Sequence, residues 1–181
     1  MIEATNDQIA LLEKQLVQLK IENWLREDLF SPTWWLMLII LVIPWIIWWR
    51  IVDKNRILQI TLLGMLVLIF SSYLDAIGSE LALWQYNKML FPLWSRLISV
   101  DFSVMPVTYM VIYQYFNEWR SYTYASIVIA LLYAFVAEPM ITRLGIYQQN
   151  TWSLWYSLAI YIILPLSIRL LVEKISAHSQ K

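Results

Sequence analysis

Long apolar blocks, separated by short polar stretches, dominate the pattern of this chain after residue 30. Each block approaches the 20 or so residues that a helix needs to cross a hydrocarbon core about 30 Å thick. The pattern therefore predicts an all-α polytopic bundle of about five transmembrane helices. The predicted spans cover residues 33–50, 57–75, 97–116, 122–141 and 152–172.

Residues 1–30 are polar and charged, and they predict a separate amphipathic helix. Thr5 and Gln8 have the spacing of a capping box. Apolar residues then recur at intervals of three and four, at Ile9, Leu12, Leu16 and Leu19. Such a helix suits the bilayer surface or the protein's own loops. Self-association into a homo-oligomer is the alternative, although about two heptads are short for a coiled coil. Ser31 and Pro32 then supply an N-cap and the first residue of a new helix.

The stretch 79–96 is apolar but interrupted, and we interpret it as an interfacial or re-entrant segment rather than a full span. Its interruptions are Glu80, Lys88, Pro92 and Arg96. A polar tail, 175–181, follows the last span. The chain therefore divides into an N-terminal helix (1–30), a transmembrane bundle (31–174) and this tail.

Composition agrees with a membrane protein and narrows its chemistry. Of the 181 residues, 60% are hydrophobic and 14% are charged, whereas a soluble domain carries about 25% charge. The chain has no Cys, and its one His, His178, lies in the polar tail. We therefore expect no disulfide, no metal site and no cysteine nucleophile. Three Gly exclude nucleotide-binding loops, so no cofactor is predicted, and zero net charge gives no basis for nucleic-acid binding.

The distribution of basic residues indicates the orientation, because cytoplasmic loops are enriched in Lys and Arg. The first predicted loop carries the compact cluster Arg50, Lys54 and Arg56. Arg120 and the basic residues of the C-terminal tail fall on the same side of the predicted topology. We therefore predict that the N-terminus lies outside and the C-terminus inside.

Three acidic residues, Asp75, Asp101 and Glu138, lie within or at the edge of the apolar spans. At 1.5 Å per residue, Asp75 lies about 27 Å and Glu138 about 24 Å from the inner start of their spans. Asp101 follows the outer start of an oppositely directed span by about one turn. All three are therefore expected in the outer third of the bilayer. An ionisable group at membrane depth indicates a functional role by default.

Aromatic residues are predicted at the same level, and together with the acids they form the candidate ligand-binding set. This set is Asp75, Asp101, Glu138, Trp84, Tyr86, Tyr109 and Tyr147. The candidate counter-ions are Lys88, Arg96 and Arg143. Each acid also has a structural alternative, which is contact with interfacial water, an ion pair with a nearby arginine, or capping of the following segment.

Four long stretches of the chain resemble a known protein family. They are LDAIGSELALWQY (74–86), DFSVMPVTYMVIYQYFNEW (101–119), FVAEPMITRLGIY (135–147) and WWLMLIILVIPWIIWWRIVDKNR (34–56). They resemble small five-span membrane proteins of spore-forming bacteria of the Bacillus and Clostridium type, a family described as uncharacterised. The resemblance covers nearly the whole chain. It implies a bacterial cytoplasmic membrane and a five-span bundle, and no particular chemistry.

Three classes of function fit these residues. In the first, an acid-lined, aromatic-walled cavity in the outer half of the bilayer binds or moves a proton, another cation, an amine or a lipid-like small molecule. In the second, an enzyme modifies a lipid or isoprenoid with one carboxyl as proton donor and another as base. In the third, the protein is a structural or sensory subunit without catalytic activity, and its contact surfaces are the N-terminal helix and the segment 79–96. We prefer the first, with membrane lipid as the surrounding partner.

The enzyme hypothesis has some support from motif similarity. The W-x-Y motif, the intramembrane acids and the E-P motif are similar to those of small lipid-modifying bundles such as the heterodimeric lycopene cyclases and the sterol isomerases. Those proteins place acids in an apolar cavity to protonate alkenes. The paired acidic motif of the cyclases is absent from this chain.

Overall fold

The structure is a computed structural model that describes residues 5–94 and 96–179. Its helices are α1 Asn6–Asn23, α2 Pro32–Ile51, α3 Ile57–Glu80, α4 Met105–Tyr115, α5 Trp119–Leu132, α6 Glu138–Arg143 and α7 Leu154–Ser179. Two short strands, β1 Trp84–Tyr86 and β2 Tyr147–Gln149, complete the fold. The all-α class is confirmed, with one small sheet that the sequence pattern did not predict. The predicted N-terminal helix and polar tail extend to residues 1–4, 180 and 181, which lie outside the described ranges.

Three helical segments in the described part of the chain are long and apolar enough to cross a membrane, fewer than the five predicted. They are Pro32–Ile51, Lys54–Glu80 and Trp119–Arg143. The third predicted span, 97–116, is instead divided between a wide π-helical turn, Val100–Val104, and the 11-residue helix α4. Helix α2 keeps an apolar outer face, because Ile39, Ile43 and Ile47 are all exposed.

Two π-helical turns adjoin proline residues and carry acids of the candidate site. The turn Val100–Val104 contains Asp101 and precedes Pro106, and the turn Tyr133–Ala137 directly precedes Glu138 and Pro139. Proline has no N–H and its ring clashes with the carbonyl one turn earlier, so the regular helical ladder cannot run through these positions. Turns of this kind occur frequently at functional sites.

The core lies where α3, α4 and α7 meet. Ile60 and Leu63 of α3, Met110 of α4 and Val172 of α7 are fully buried there. Gly64 permits the close approach of α3 and α4, because a Cβ at this position would lie 2.3 Å from the Met110 sulfur. Small residues at such crossings are typical of helices packed in membranes.

Long-range hydrogen bonds gather the helix ends at two poles of the bundle. At one pole β1, which follows α3, pairs antiparallel with β2, which follows α6. The register places Trp84 opposite Gln149 and Tyr86 opposite Tyr147. At the other pole Arg169 of α7 donates to the backbone carbonyls of the α4–α5 connection, at Phe116 and Asn117.

The N-terminal helix α1 has the predicted capping box. The Gln8 amide N–H donates to Thr5 Oγ1, and the Thr5 amide N–H donates to Gln8 Oε1. No residue of α1 is buried. The cap of α2 is also confirmed, because the Ser31 hydroxyl accepts from the Trp34 amide and Pro32 is the first helical residue.

The segment after β1 is fastened to the N-terminal part of the chain through Asp28, which is almost completely buried. Lys88 Nζ lies 3.0 Å from Asp28 Oδ1, and the Met89 amide donates to Asp28 Oδ2 over 3.2 Å. Trp24 Nε1 donates to the Met89 carbonyl over 3.1 Å. Lys88, predicted as a candidate counter-ion for the intramembrane acids, is therefore paired with Asp28 in this structure.

Candidate functional site

A cavity of about 100 Å³ lies between α3, the turn before α4, α6, α7 and the two strands. Asp75, Asp101 and Glu138 all line it. Their exposed fractions are only 8%, 7% and 6%. Since a cavity holds one water molecule for about 10–15 Å³ of such space, this one has room for several waters or one small polar group.

Asp75 is held by two donors from β1. The Tyr86 hydroxyl donates to Asp75 Oδ1 over 2.6 Å, and Trp84 Nε1 donates to the same oxygen over 2.8 Å. The other oxygen, Oδ2, is buried with no donor in hydrogen-bonding geometry among the described residues. Its polar neighbours include the Leu97 amide and the Asp101 carboxyl. One side of the Asp75 carboxyl is thus fully satisfied by donors and the other is not.

Gly78 makes the position of Trp84 possible. A Cβ at residue 78 would lie 1.9 Å from Cη2 of the indole, so any side chain there would collide with the ring. Gly78 follows Asp75 by three residues and therefore lies on the same face of α3. The absent side chain of Gly78 gives the indole N–H access to the Asp75 carboxyl.

The Asp101 and Asp75 carboxyl groups both line the cavity and lie close enough to share a hydrogen bond. Asp101 Oδ2 is buried and has no conventional donor in the described part of the chain. Arg96 acts on Asp101 through its charge, but it forms no salt bridge with the acid among the described residues. Of the three candidate counter-ions, only Arg96 is electrostatically coupled to a cavity acid.

Glu138 belongs to α6 and is held by neutral donors from β2 and α7. Gln149 Nε2 donates to Oε2 over 3.1 Å, and the Tyr161 hydroxyl donates to Oε1 over 2.8 Å. Hydrogen bonds to both oxygens stabilise the ionised carboxylate. The expected ion pair with Arg143 does not form, because Arg143 is exposed and is not part of the cavity lining.

The structure places the predicted ligand-binding residues in one cavity, with one exception. Trp84, Tyr86 and Tyr147 line it together with the three acids. Tyr109 does not, because it lies in the helical core and its hydroxyl donates to the Tyr161 carbonyl over 2.7 Å. Tyr109 is therefore the one candidate ligand-binding residue that lies outside the cavity lining.

The cavity also contains residues that the sequence reasoning missed. Ser157, Tyr161 and Leu164 of α7 all line the wall, and their four- and three-residue spacing places them on one helical face. That spacing was a usable signal in the sequence. Gln149 carried no comparable signal, because its contact with Glu138 depends on a strand pairing between residues more than 60 positions apart.

Two tyrosines of the strand pair remain protonated hydrogen-bond donors. Burial raises the pKa of Tyr86 well above its usual value, and the neighbouring Asp75 carboxylate raises it further. Burial also raises the pKa of Tyr147, and Glu138 adds to this effect. Both phenols therefore supply neutral donors to the cavity throughout the physiological pH range.

The lining combines three carboxyl groups with neutral donors only. The described residues form no salt bridge to any of the three acids. No group of three His, Cys, Asp or Glu within residues 5–94 and 96–179 is placed to hold a metal ion. The site is thus rich in acceptor oxygens and has no positive charge in direct contact with them.

Comparison with known proteins gives this chain no relative from which a role can be transferred. No protein-family model, no curated protein and no solved structure matches it. The role of the cavity therefore has to follow from its own atoms, which are three buried carboxyl groups, the hydroxyl, indole and amide donors around them, and a volume that admits only a small group.

Proposed function

We propose that this chain is an integral membrane protein whose cavity binds a small organic ammonium ion. The observation that carries the proposal is the charge balance of the site. Asp75, Asp101 and Glu138 line one cavity, and none of them forms a salt bridge in the described part of the chain. Buried carboxylates without a partner are strongly unfavourable, so such a site favours an incoming positive charge.

The chemistry of the walls suits an ammonium group. Its three N–H donors match the carboxyl oxygens, and two of these, Asp75 Oδ2 and Asp101 Oδ2, have no conventional donor among the described residues. Aromatic rings complete the enclosure, with Trp84 and Trp152 centred 5.0 Å apart and Tyr86 and Tyr147 5.5 Å apart. Aromatic faces attract organic cations by about 0.5–2 kcal/mol.

The size of the cavity favours this ligand over a lipid or isoprenoid substrate. Pockets for drug-sized ligands measure about 300–1,000 Å³, whereas this cavity measures about 100 Å³. The inner space suits a group of two or three heavy atoms better than a whole isoprenoid chain. The binding hypothesis therefore has more support than the enzyme hypothesis.

We further propose that all five predicted spans cross the membrane. Helix α7 has 26 residues and would be about 39 Å long, and residues 98–115 form an unbroken helical segment. The basic cluster Arg50, Lys54 and Arg56 belongs to the pole opposite the cavity, because Arg56 Nη1 donates to Asn117 Oδ1 of the α4–α5 connection. Because basic loops favour the cytoplasm, the cavity would lie in the outer half of a bacterial cytoplasmic membrane, with both the N-terminus and the strand pair outside.

The test is a ligand-dependent stability measurement on the full-length protein purified in detergent. Ethylammonium chloride is titrated while unfolding is followed by the fluorescence of the 11 tryptophans. Sodium chloride at matched ionic strength serves as the reference. A ligand that binds only the folded state adds about 2.7 kcal/mol at a concentration 100 times its Kd. We expect a saturable rise in Tm with ethylammonium that sodium does not produce.

Variants then locate the binding. Glu138→Gln and Asp75→Asn should each weaken the ethylammonium response at least about tenfold, which corresponds to 1.4 kcal/mol. Asp7→Asn is the matched control, because Asp7 lies on the exposed helix α1 and is remote from the cavity. Equal responses to ethylammonium and sodium, or a response that survives both cavity variants, would contradict the proposed function.

A further inference from the structure

Asp75 and Asp101 line the same cavity, and each has one oxygen atom that lacks a donor. Asp75 Oδ2 and Asp101 Oδ2 are both buried with no hydrogen-bond partner among the described residues, and the two carboxyl groups lie close enough to share a hydrogen bond. Both residues are more than nine-tenths buried and line the cavity. Two carboxylates cannot donate to each other, so a hydrogen bond between them requires a proton.

The surrounding donors determine which acid carries that proton. Asp75 Oδ1 accepts two short hydrogen bonds, from Tyr86 and Trp84, and these stabilise the ionised form. Asp101 accepts no side-chain hydrogen bond from a neutral donor among the described residues and is equally buried. The arrangement that satisfies both orphaned oxygens is a protonated Asp101 donating to the Asp75 carboxylate.

We infer that Asp75 and Asp101 form a carboxyl–carboxylate pair that holds one proton, and that an ammonium ion binds by displacing this proton. The second part rests on the proposed function above. The proton and the ammonium ion would use the same two acceptor oxygens, so they must compete. On exchange one ammonium ion enters, one proton leaves to water, and no covalent bond forms or breaks.

The charge balance favours exchange over simple addition. Before binding, the pair carries one negative charge. After the proton leaves, two carboxylates and one ammonium ion again sum to one negative charge. The buried site therefore keeps its net charge, which avoids the large desolvation penalty of creating a new one at this depth.

Five other titratable or charged groups face the pair from the elements packed around it. They are Tyr86, Arg96, Glu138, Tyr147 and Tyr161. The phenols act as neutral donors, and Glu138 has its own donors on both oxygens. Arg96 acts on Asp101 without a salt bridge in the described residues, and its positive charge opposes retention of the proton. The proton is therefore held by the two aspartates themselves and not by a neighbouring group.

Infrared spectroscopy tests the proton directly, because a protonated carboxyl group has a carbonyl stretch distinct from carboxylate bands. We expect this band near neutral pH in the full-length protein without any added amine. Asp101→Asn should abolish it, because the amide can still donate to Asp75 but carries no acidic proton. Asp75→Asn should shift the band, and Glu138→Gln should leave it in place. Asp7→Asn is the matched aspartate control.

A second measurement tests the exchange. Adding ethylammonium to weakly buffered protein should release close to one proton per bound ion, and Asp101→Asn should release none. Absence of the infrared band, or its persistence in Asp101→Asn, would overturn the proton pair. Ethylammonium binding without proton release would overturn the displacement step. A band with the expected variant pattern but no ethylammonium binding would support the pair and instead contradict the proposed function.

Discussion

The indole of Trp84 occupies the space that a side chain at residue 78 would need. A Cβ on Gly78 would lie 1.9 Å from Cη2 of the ring, and the same ring donates to Asp75 Oδ1. Gly78 thus leaves room for the ring of Trp84, six residues later, to donate its hydrogen bond to Asp75 in the cavity.

Gly78→Ala should destabilise the protein and displace Trp84 from Asp75. Overpacking of this kind costs about 1–3 kcal/mol, which chemical unfolding measures. The double variant Gly78→Ala/Trp84→Ala removes the collision. Its loss of stability should therefore be smaller than the sum of the losses in the two single variants. If Gly78→Ala unfolds like the unmodified protein, the close contact is not a constraint on the fold.

Tyr86→Phe should weaken ethylammonium binding without unfolding the protein. The hydroxyl donates to Asp75 over 2.6 Å, and a hydrogen bond to a charged group contributes about 1.5–3 kcal/mol. Loss of this hydrogen bond favours protonation of the Asp75–Asp101 pair. We expect the affinity for ethylammonium to fall about tenfold or more in the thermal titration. Tyr124→Phe is the matched control, because Tyr124 is exposed. Similar affinities in the two variants would remove Tyr86 from the binding site.

Ethylammonium affinity should fall as the pH falls. Because binding releases one proton, a lower pH weakens binding. The affinity should change by at most about tenfold per pH unit. Titrations between about pH 6 and 8 measure the slope. Tyr86 and Tyr147 contribute nothing there, since burial raises the pKa of each phenol and both stay protonated. Asp101→Asn should bind more weakly with a flat pH profile, and a retained slope in that variant would place the released proton elsewhere.

Arg169 at the opposite pole should affect stability and not binding. This buried side chain pairs with Glu173 over 2.7 Å and lies over Trp119 and Tyr122, 4.5 and 4.6 Å from the ring centres. Arg169→Ala should lower the free energy of unfolding by about 1.5–3 kcal/mol, because it removes the charged donor to the Phe116 and Asn117 carbonyls; Glu173 is 37% exposed and stays solvated. The Kd for ethylammonium, measured well below Tm, should stay the same. A large change in Kd would mean that the two poles are energetically coupled.

Tetraethylammonium should fail to stabilise the protein. It carries the same charge as ethylammonium, but it is about three times as large as ethylammonium and exceeds the space of about 100 Å³, and it has no N–H to donate. Methylammonium, by contrast, should bind. Thermal titration of the three salts at equal ionic strength measures the order. Stabilisation by tetraethylammonium would indicate binding to an outer surface instead.

The grouping of the three acids could be predicted from the sequence, because it follows from span direction and helical rise alone. Asp75, Asp101 and Glu138 line one cavity, and the aromatic residues near them, Trp84 and Tyr86, follow α3 directly in sequence. The contacts that the sequence did not predict are those set by packing. Lys88 contacts Asp28 because the N-terminal turn folds back on it, and no periodicity encodes that return.

The strand pair also could not be predicted from the sequence pattern. Each strand has three residues, too few for alternation of apolar and polar positions to be visible. Pairing of β1 with β2 joins loops from distant parts of the chain, and it alone brings Gln149 to Glu138. Helix periodicity predicted the bundle, while the side chains that complete the cavity depend on long-range contacts.

The strand pair also has a kinetic consequence. Trp84, Tyr86 and Tyr147 form one wall of the cavity, and that wall is held by two three-residue strands. An isolated pair of strands is marginally stable in water, so its separation requires far less free energy than movement of the packed helices. An ion that leaves the buried carboxyl groups through this wall has to wait until the two loops separate, so on that route selectivity can arise from rates of entry as well as from affinity.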